Sequence, residues 1–201
     1  MNFSVLAQNL HVLGYDVHEF DHGSEAASYL KKQLSGKSVG IGGSVTVQQL
    51  GLYDLLQENS SVIWHLNPPE GMSVDQCRRE AARCQAYITS VNAAAETGEL
   101  INIDNTGNRV ASSLFGHETV YMIIGENKLA PDYDAALWRA RNIAGPRNAQ
   151  RLGRKTPCAE KADRCYNCKS PDRICRALTV FWEKPAGCRY EILLVHEDLG
   201  Y

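Results

Sequence analysis

The stretch SVGIGGSVTVQQLGLYDLL, Ser38 to Leu56, decides the fold class. Ser38 to Ile41 is a short apolar run rich in β-branched residues. Gly42-Gly43-Ser44 then turns the chain, and a helix carrying Val45, Leu50, Leu52, Leu55 and Leu56 follows. A buried strand, a tight glycine turn and a helix start are the unit from which α/β sheets are built. Glycines let the backbone come close to a ligand, Ser44 and Thr46 carry hydroxyls, and ligands in such sheets lie outside the carboxyl ends of the strands. The spacing is neither the dinucleotide fingerprint nor the Walker A pattern. A merely tight turn is the plainer reading of Gly42-Gly43-Ser44.

The same alternation continues outward. Phe3, Leu6, Ala7, Leu10 and Leu13 form a helical stripe ended by Gly14, with a short strand through Val17. Ser24 caps a second helix, and Ala26, Ala27, Leu30 and Leu34 face inward before Gly36. Val62 to His65 predicts a strand, and Ser73 starts a helix carrying Val74, Cys77, Ala81 and Cys84. Strands are expected at 86–91, 100–103, 110–114 and 119–124, with Asn105 to Asn108 as hairpin-turn chemistry. A helix capped by Asp132 is expected to run to about Ile143, and Tyr190 to Val195 is a last apolar strand. The fold class is therefore α/β, an open and largely parallel sheet with some antiparallel additions. One domain over residues 1–201 is expected, including a basic four-cysteine segment at 146–188 and the final strand at 189–196.

The chain has 201 residues, 44% hydrophobic and 22% charged, which excludes collagenous and disordered classes. No apolar run approaches the ~18 residues of a membrane span, and Met1 to Leu13 has neither the basic start nor the apolar centre of a signal peptide. A cytoplasmic location is the expectation. The formal net charge of −2 conceals an asymmetry. Residues 139–176 hold eleven Lys or Arg against three acids, a net +8, and the rest holds ten against twenty, a net −10. A basic stretch is either a solvated face or a surface for something anionic. Its aromatics are sparse and no RNA-binding signature is present, so nucleic acid is an unlikely partner.

Four of the seven cysteines lie in that stretch. Cys158, Cys165, Cys168 and Cys175 are spaced C-x6-C-x2-C-x6-C, which lets two thiolates share one centre across a tight turn while two arms return a third and fourth. Thiolates suit zinc and iron–sulfur clusters alike, and reversible disulfides are the other reading of the four cysteines. A [4Fe–4S] cluster is favoured over zinc, because zinc knuckles more often use two C-x2-C pairs and the surrounding Arg and Lys would neutralise a dianionic complex. Cys77 and Cys84 read as buried apolar thiols, and Cys188 has no evident partner. Polar residues also gather at strand ends. Asn92, Asp104, Asn108 and Asn127 are ligand-binding candidates with Gly42, Gly43, Ser44 and Thr46. Glu96 and Lys128 are candidates for base or nucleophile and for anion clamp.

Taken together, GIGGSVTVQQLGL (Gly40–Leu52), ITSVNAAAETGELINIDNTGNRVA (Ile88–Ala111), VYMIIGENKLA (Val120–Ala130), the Cys158–Cys175 array and the closing VHEDLGY resemble the LUD-domain, or lactate-utilization, family. The resemblance implies the fold shared by glucosamine-6-phosphate deaminase, ribose-5-phosphate isomerase and CoA transferases, with an anion site at Gly42, Gly43, Ser44 and Thr46. In CoA transferases of that fold a glutamate beside a small-residue loop is the nucleophile. Glu96 is the nearest positional candidate, although Glu96-Thr97-Gly98 departs from their fuller motif. Family members tied to lactate oxidation work within iron–sulfur complexes, which implies an iron–sulfur centre and an iron–sulfur partner protein here. The function expected is a redox-associated subunit of lactate-type organic-acid oxidation, binding an organic acid or sugar phosphate. An isomerase or acyl-CoA-transferase-like enzyme with a structural metal site is the alternative, and a non-catalytic ligand sensor or scaffold the next.

Overall fold

The computed structural model describes residues 2–201. In chain order the elements are α1 (Phe3–Val12), β1 (Asp16–Phe20), α2 (Gly23–Gln33), β2 (Ser38–Ile41), α3 (Val45–Gln49), α4 (Leu52–Gln57), β3 (Ser61–Trp64), α5 (Val74–Ala81), β4 (Ala86–Ser90), β5 (Ala93–Ala95), β6 (Leu100–Asp104), α6 (Asn108–Leu114), β7 (Thr119–Gly125), β8 (Leu129–Ala130), α7 (Tyr133–Arg139), α8 (Gly145–Arg151), α9 (Pro157–Lys161), β9 (Ala177–Phe181) and β10 (Arg189–Val195). Six strands pair in parallel in the order β1-β10-β7-β4-β2-β3, an open sheet covered on both faces. A smaller sheet, β8-β5-β6-β9, carries the antiparallel pairs β5–β6 and β6–β9.

Side-chain alternation along β7 shows how the core divides. Tyr121 and Ile123 face α2, α3 and α4 through Leu30, Leu34, Val47, Leu52 and Leu56. Val120, Met122 and Ile124 face the other way, onto Phe3, Leu6 and Leu10 of α1 and onto Leu100 and Phe181 of the small sheet. A third cluster joins Ala93, Ala95 and Ile101 to Ala136 and Ala140. The basic segment is pinned by Ala149, Ala159 and Ile174.

Several sequence expectations need correction. Residues 110–114 are not a strand but most of α6, and Asn105 to Asn108 is the entry to that helix, not a hairpin. Gly107 takes φ +88 as N-cap and donates its N–H to Asp104 Oδ1 at 2.6 Å, which closes the turn in which the helix starts. The helix expected across residues 45–56 breaks at Gly51, φ +59, into α3 and α4. The Asp132-capped helix does not stop near Ile143: α7 continues through a single wide turn, Ala140–Ala144, into α8. Ser73 caps α5 as expected, accepting from Gln76 N while Gln76 returns a bond to Ser73 N.

Candidate functional site

The carboxyl ends of β2, β4, β7 and β10 come together on one edge of the main sheet. Gly42-Gly43-Ser44 follows β2, Asn92 follows β4, Asn127-Lys128 follows β7, and His196 to Gly200 follows β10. That last stretch folds across as a strap. Asn127 holds it on both sides, accepting from Leu199 N at 3.1 Å and donating to Gly200 O at 3.2 Å, and Gly200 N donates to Gln49 Oε1 at 2.7 Å. The strap lies so close that a Cβ on Gly125 would sit 2.6 Å from Glu197 O, and one on Gly200 would sit 2.7 Å from Thr46 Oγ1.

Lys128 lies beneath the strap, only 3% exposed. Its Nζ donates to Thr46 Oγ1 at 2.7 Å and to Ser90 Oγ at 2.6 Å, and among the described residues no carboxylate pairs with it. Burial, with the Arg139 and Arg109 guanidiniums nearby, pushes the ammonium well below its ordinary range. Arg139 is 7% exposed and ties three segments together, donating to Asn92 O, Asn127 O and Tyr201 O at 2.6, 2.8 and 3.1 Å. Its own burial, with Arg147 adding repulsion, lowers it to about 10.

A cavity of about 50 Å³ at Lys128 is lined by Ser44, Thr46, Ser90, Asn92, Arg109 and Gly200 among others. It shares Gly43, Asn92, Arg109, Asn148 and Arg151 with a cleft of about 400 Å³ that extends over His65, Arg78, Asp104 and Asn108. Arg109 is braced there by Asp104 Oδ2 at 3.2 Å, Asn92 Oδ1 at 3.3 Å and Ile103 O at 2.6 Å. Burial, with the Arg78 guanidinium nearby, pushes the His65 imidazole below its ordinary range, and its Nδ1 is buried without a hydrogen-bond partner among the described residues. The floor is therefore cationic, with guanidiniums outnumbering carboxylates.

The structure brings Gly43, Ser44, Thr46, Asn92, Asp104, Asn108 and Lys128 to this connected space. Asn127 serves the strap, and Gly42 lies behind, its carbonyl accepting from Trp64 Nε1 at 3.1 Å. Glu96 is not brought to Lys128. Its carboxylate accepts from Asn2 N at 2.7 Å at the start of α1, and it is absent from the lining of both cavities. Arg109, Arg139, His65 and Ser90 were not singled out from the sequence. Their place in the site arises from strands and helices far apart in the chain; the density of polar residues in Ile88–Ala111 signals Ser90 and Arg109 alone.

Cys158, Cys165, Cys168 and Cys175 line one further cavity with Arg141, Thr156, Tyr166 and Arg173. Arg173 Nη2 donates to Cys175 Sγ at 3.2 Å, Asn167 N to Cys165 Sγ at 3.4 Å, and Arg141 Nη2 reaches Cys165 Sγ at 3.7 Å. Asn167 takes φ +46, which turns the C-x2-C backbone toward the sulfur. Thr156 Oγ1 lies 3.3 Å from Cys158 Sγ. Among the described residues no three His, Cys, Asp or Glu side chains form a ligand set for a single ion. Four cysteines around one cavity, with N–H groups and guanidiniums aimed at sulfur, fit a thiolate-bound cluster. Cys77 and Cys84 are buried in the α5 region, and burial raises both thiols, Cys84 to about 11.

These features define an open parallel α/β protein with a cationic cleft at the strand ends and four cysteines beside it. The chain belongs to the LUD-domain family, whose model matches residues 4–195. A DUF162 family protein from Deinococcus radiodurans has a similar fold, with a TM-score of 0.57, 15% identity, and coverage of 96% of this chain and 95% of that one. The β subunit of eIF2B from Chaetomium thermophilum gives a TM-score of 0.32 at 17% identity, over 64% of this chain and 39% of that one. No curated protein matches the chain. No helix among the described residues is long and apolar enough to cross a membrane.

Proposed function

We propose that the protein is a cytoplasmic, redox-associated subunit of lactate-type organic-acid oxidation. It binds a small organic anion in the cleft around Gly43, Thr46 and Lys128 and a [4Fe–4S] cluster through Cys158, Cys165, Cys168 and Cys175. The observation that carries this reading is adjacency: the cysteine cavity and the cationic cleft share Ile103, Gly145 and Ile174 as a common wall. Bound there, the cluster supplies one-electron transfer. The chain's own residues hold the anion by charge, exclude water beneath the strap, and neutralise the cluster's charge through Arg141 and Arg173. Family membership and the parallel sheet support a fold of the glucosamine-6-phosphate deaminase and CoA transferase type, with residues 146–188 as a metal-binding segment of the same domain. A partner iron–sulfur protein would complete the electron path.

Protein purified without oxygen is expected to be brown and to carry about four irons and four acid-labile sulfides per chain. Cys168→Ala is expected to lose most of both. A colourless protein holding one zinc per chain overturns the redox reading.

A further inference from the structure

We propose that Lys128 is an imine-forming amine that captures the carbonyl carbon of a small 2-oxo carboxylate, an inference that rests on the cleft taking an organic anion. The hydrogen count around Nζ supports it. Ser90 Oγ–H donates to Ile123 O at 2.5 Å and Thr46 Oγ–H donates to Leu199 O at 3.3 Å, so both hydroxyl oxygens act toward Lys128 only as acceptors. Nζ therefore gives two hydrogens to protein, no carboxylate lies beside it, and Lys128 lines the cavity; an amine held this way, once neutral, has its lone pair unengaged by the protein.

The space next to Lys128 is small, although it opens into the larger cleft. At ~10–15 Å³ for each water-sized position, a cavity of about 50 Å³ holds roughly three to five such positions, the size of a two- or three-carbon acid. Recognition of the carboxylate is available nearby, since Arg109 and Arg151 line the same cavity and Nη1 of Arg109 makes no hydrogen bond among the described residues. The bonds balance without a redox partner. Nζ adds to the carbonyl carbon, the carbinolamine loses water, and a C=N bond replaces C=O. Such a nucleophile is the usual use of a desolvated lysine set beside other cations.

The full-length protein is incubated at pH 7 with glyoxylate and cyanoborohydride, which reduces the imine to a stable secondary amine, and the modified lysine is located by peptide mass mapping. Lys128 is expected to be labelled at least tenfold faster than any other lysine, because ordinary exposed amines are protonated at this pH. L-lactate, which has no carbonyl, is expected to slow that labelling and to raise Tm. Lys128→Met should leave only the slow background. Labelling of Lys128 no faster than the rest overturns the imine. If lactate still raises Tm in that case, the organic-anion reading stands; if it does not, both fall.

Discussion

Replacing Lys128 by methionine is expected to stabilise the protein by about 1–2 kcal/mol at pH 7 while abolishing its capture of 2-oxo acids. A buried amine without a carboxylate partner is a cost that the fold bears for its cavity, and an apolar side chain of similar length removes it. Thr46 and Ser90 lose a donor but keep their own hydrogens on the Leu199 and Ile123 carbonyls, which limits the loss. The pH dependence follows from the direction of the shift. The unfolded chain holds the Lys128 proton up to its ordinary 10.5, and the folded chain releases it at lower pH. Between those two values the unfolded state binds more protons, so wild-type stability rises with pH across that window. The advantage of the variant is therefore greatest below the folded value and fades as pH nears 10.5. Urea unfolding of both proteins at pH 7 and pH 10 reads this directly. A variant less stable than wild type at pH 7 would show that the amine is charged and well compensated.

Gly40→Ala is expected to cost about 3 kcal/mol, lowering Tm by roughly 6–12 °C for a chain of this size. A Cβ there would lie 2.2 Å from the carbonyl oxygen of Ala81 and 3.0 Å from its carbonyl carbon, and backbone cannot rotate aside as a side chain can. Gly40 is where the end of α5 meets β2, the strand that delivers the Gly42-Gly43-Ser44 turn to the cleft. Gly145→Ala is the comparison. It lies within a helical stretch with its nearest contact at 3.4 Å, and a change within ~1 kcal/mol is expected. Differential scanning calorimetry of the two variants separates close packing from the general effect of removing a glycine.

Legibility in the sequence followed local chemistry. β2 was readable residue for residue because a short β-branched run ends in glycines, and α5 because Ser73 stands ahead of apolar residues at helical spacing. Residues 110–114 misled because Val110 and the serines carry weak helix preference. The decisive contact, Asp104 to Gly107 N, is a turn interaction that period-counting does not detect. The strands β5 and β8, of three and two residues, have no periodicity to read, and β9 is half-exposed and exists because β6 pairs with it. In the site, Lys128 and the glycine turn stood out as polar or flexible residues at apolar strand ends. Arg139 did not, since nothing local reveals that a helical arginine will gather three carbonyls from distant loops. Glu96 also stands at a strand end, but the small sheet carries it to the start of α1 and away from the lysine. Local signals thus found the elements, while the convergence of the site depended on strand order.

If an organic-anion cleft and a redox cluster share one wall, filling the first perturbs the second. Electron paramagnetic resonance of the anaerobically prepared, reduced protein, recorded with and without saturating L-lactate, tests it most directly. An iron–sulfur signal is expected, with a line shape that shifts when lactate fills the cleft beyond Ile103 and Ile174. A protein with no iron–sulfur signal, or a signal that lactate leaves unchanged, would contradict it.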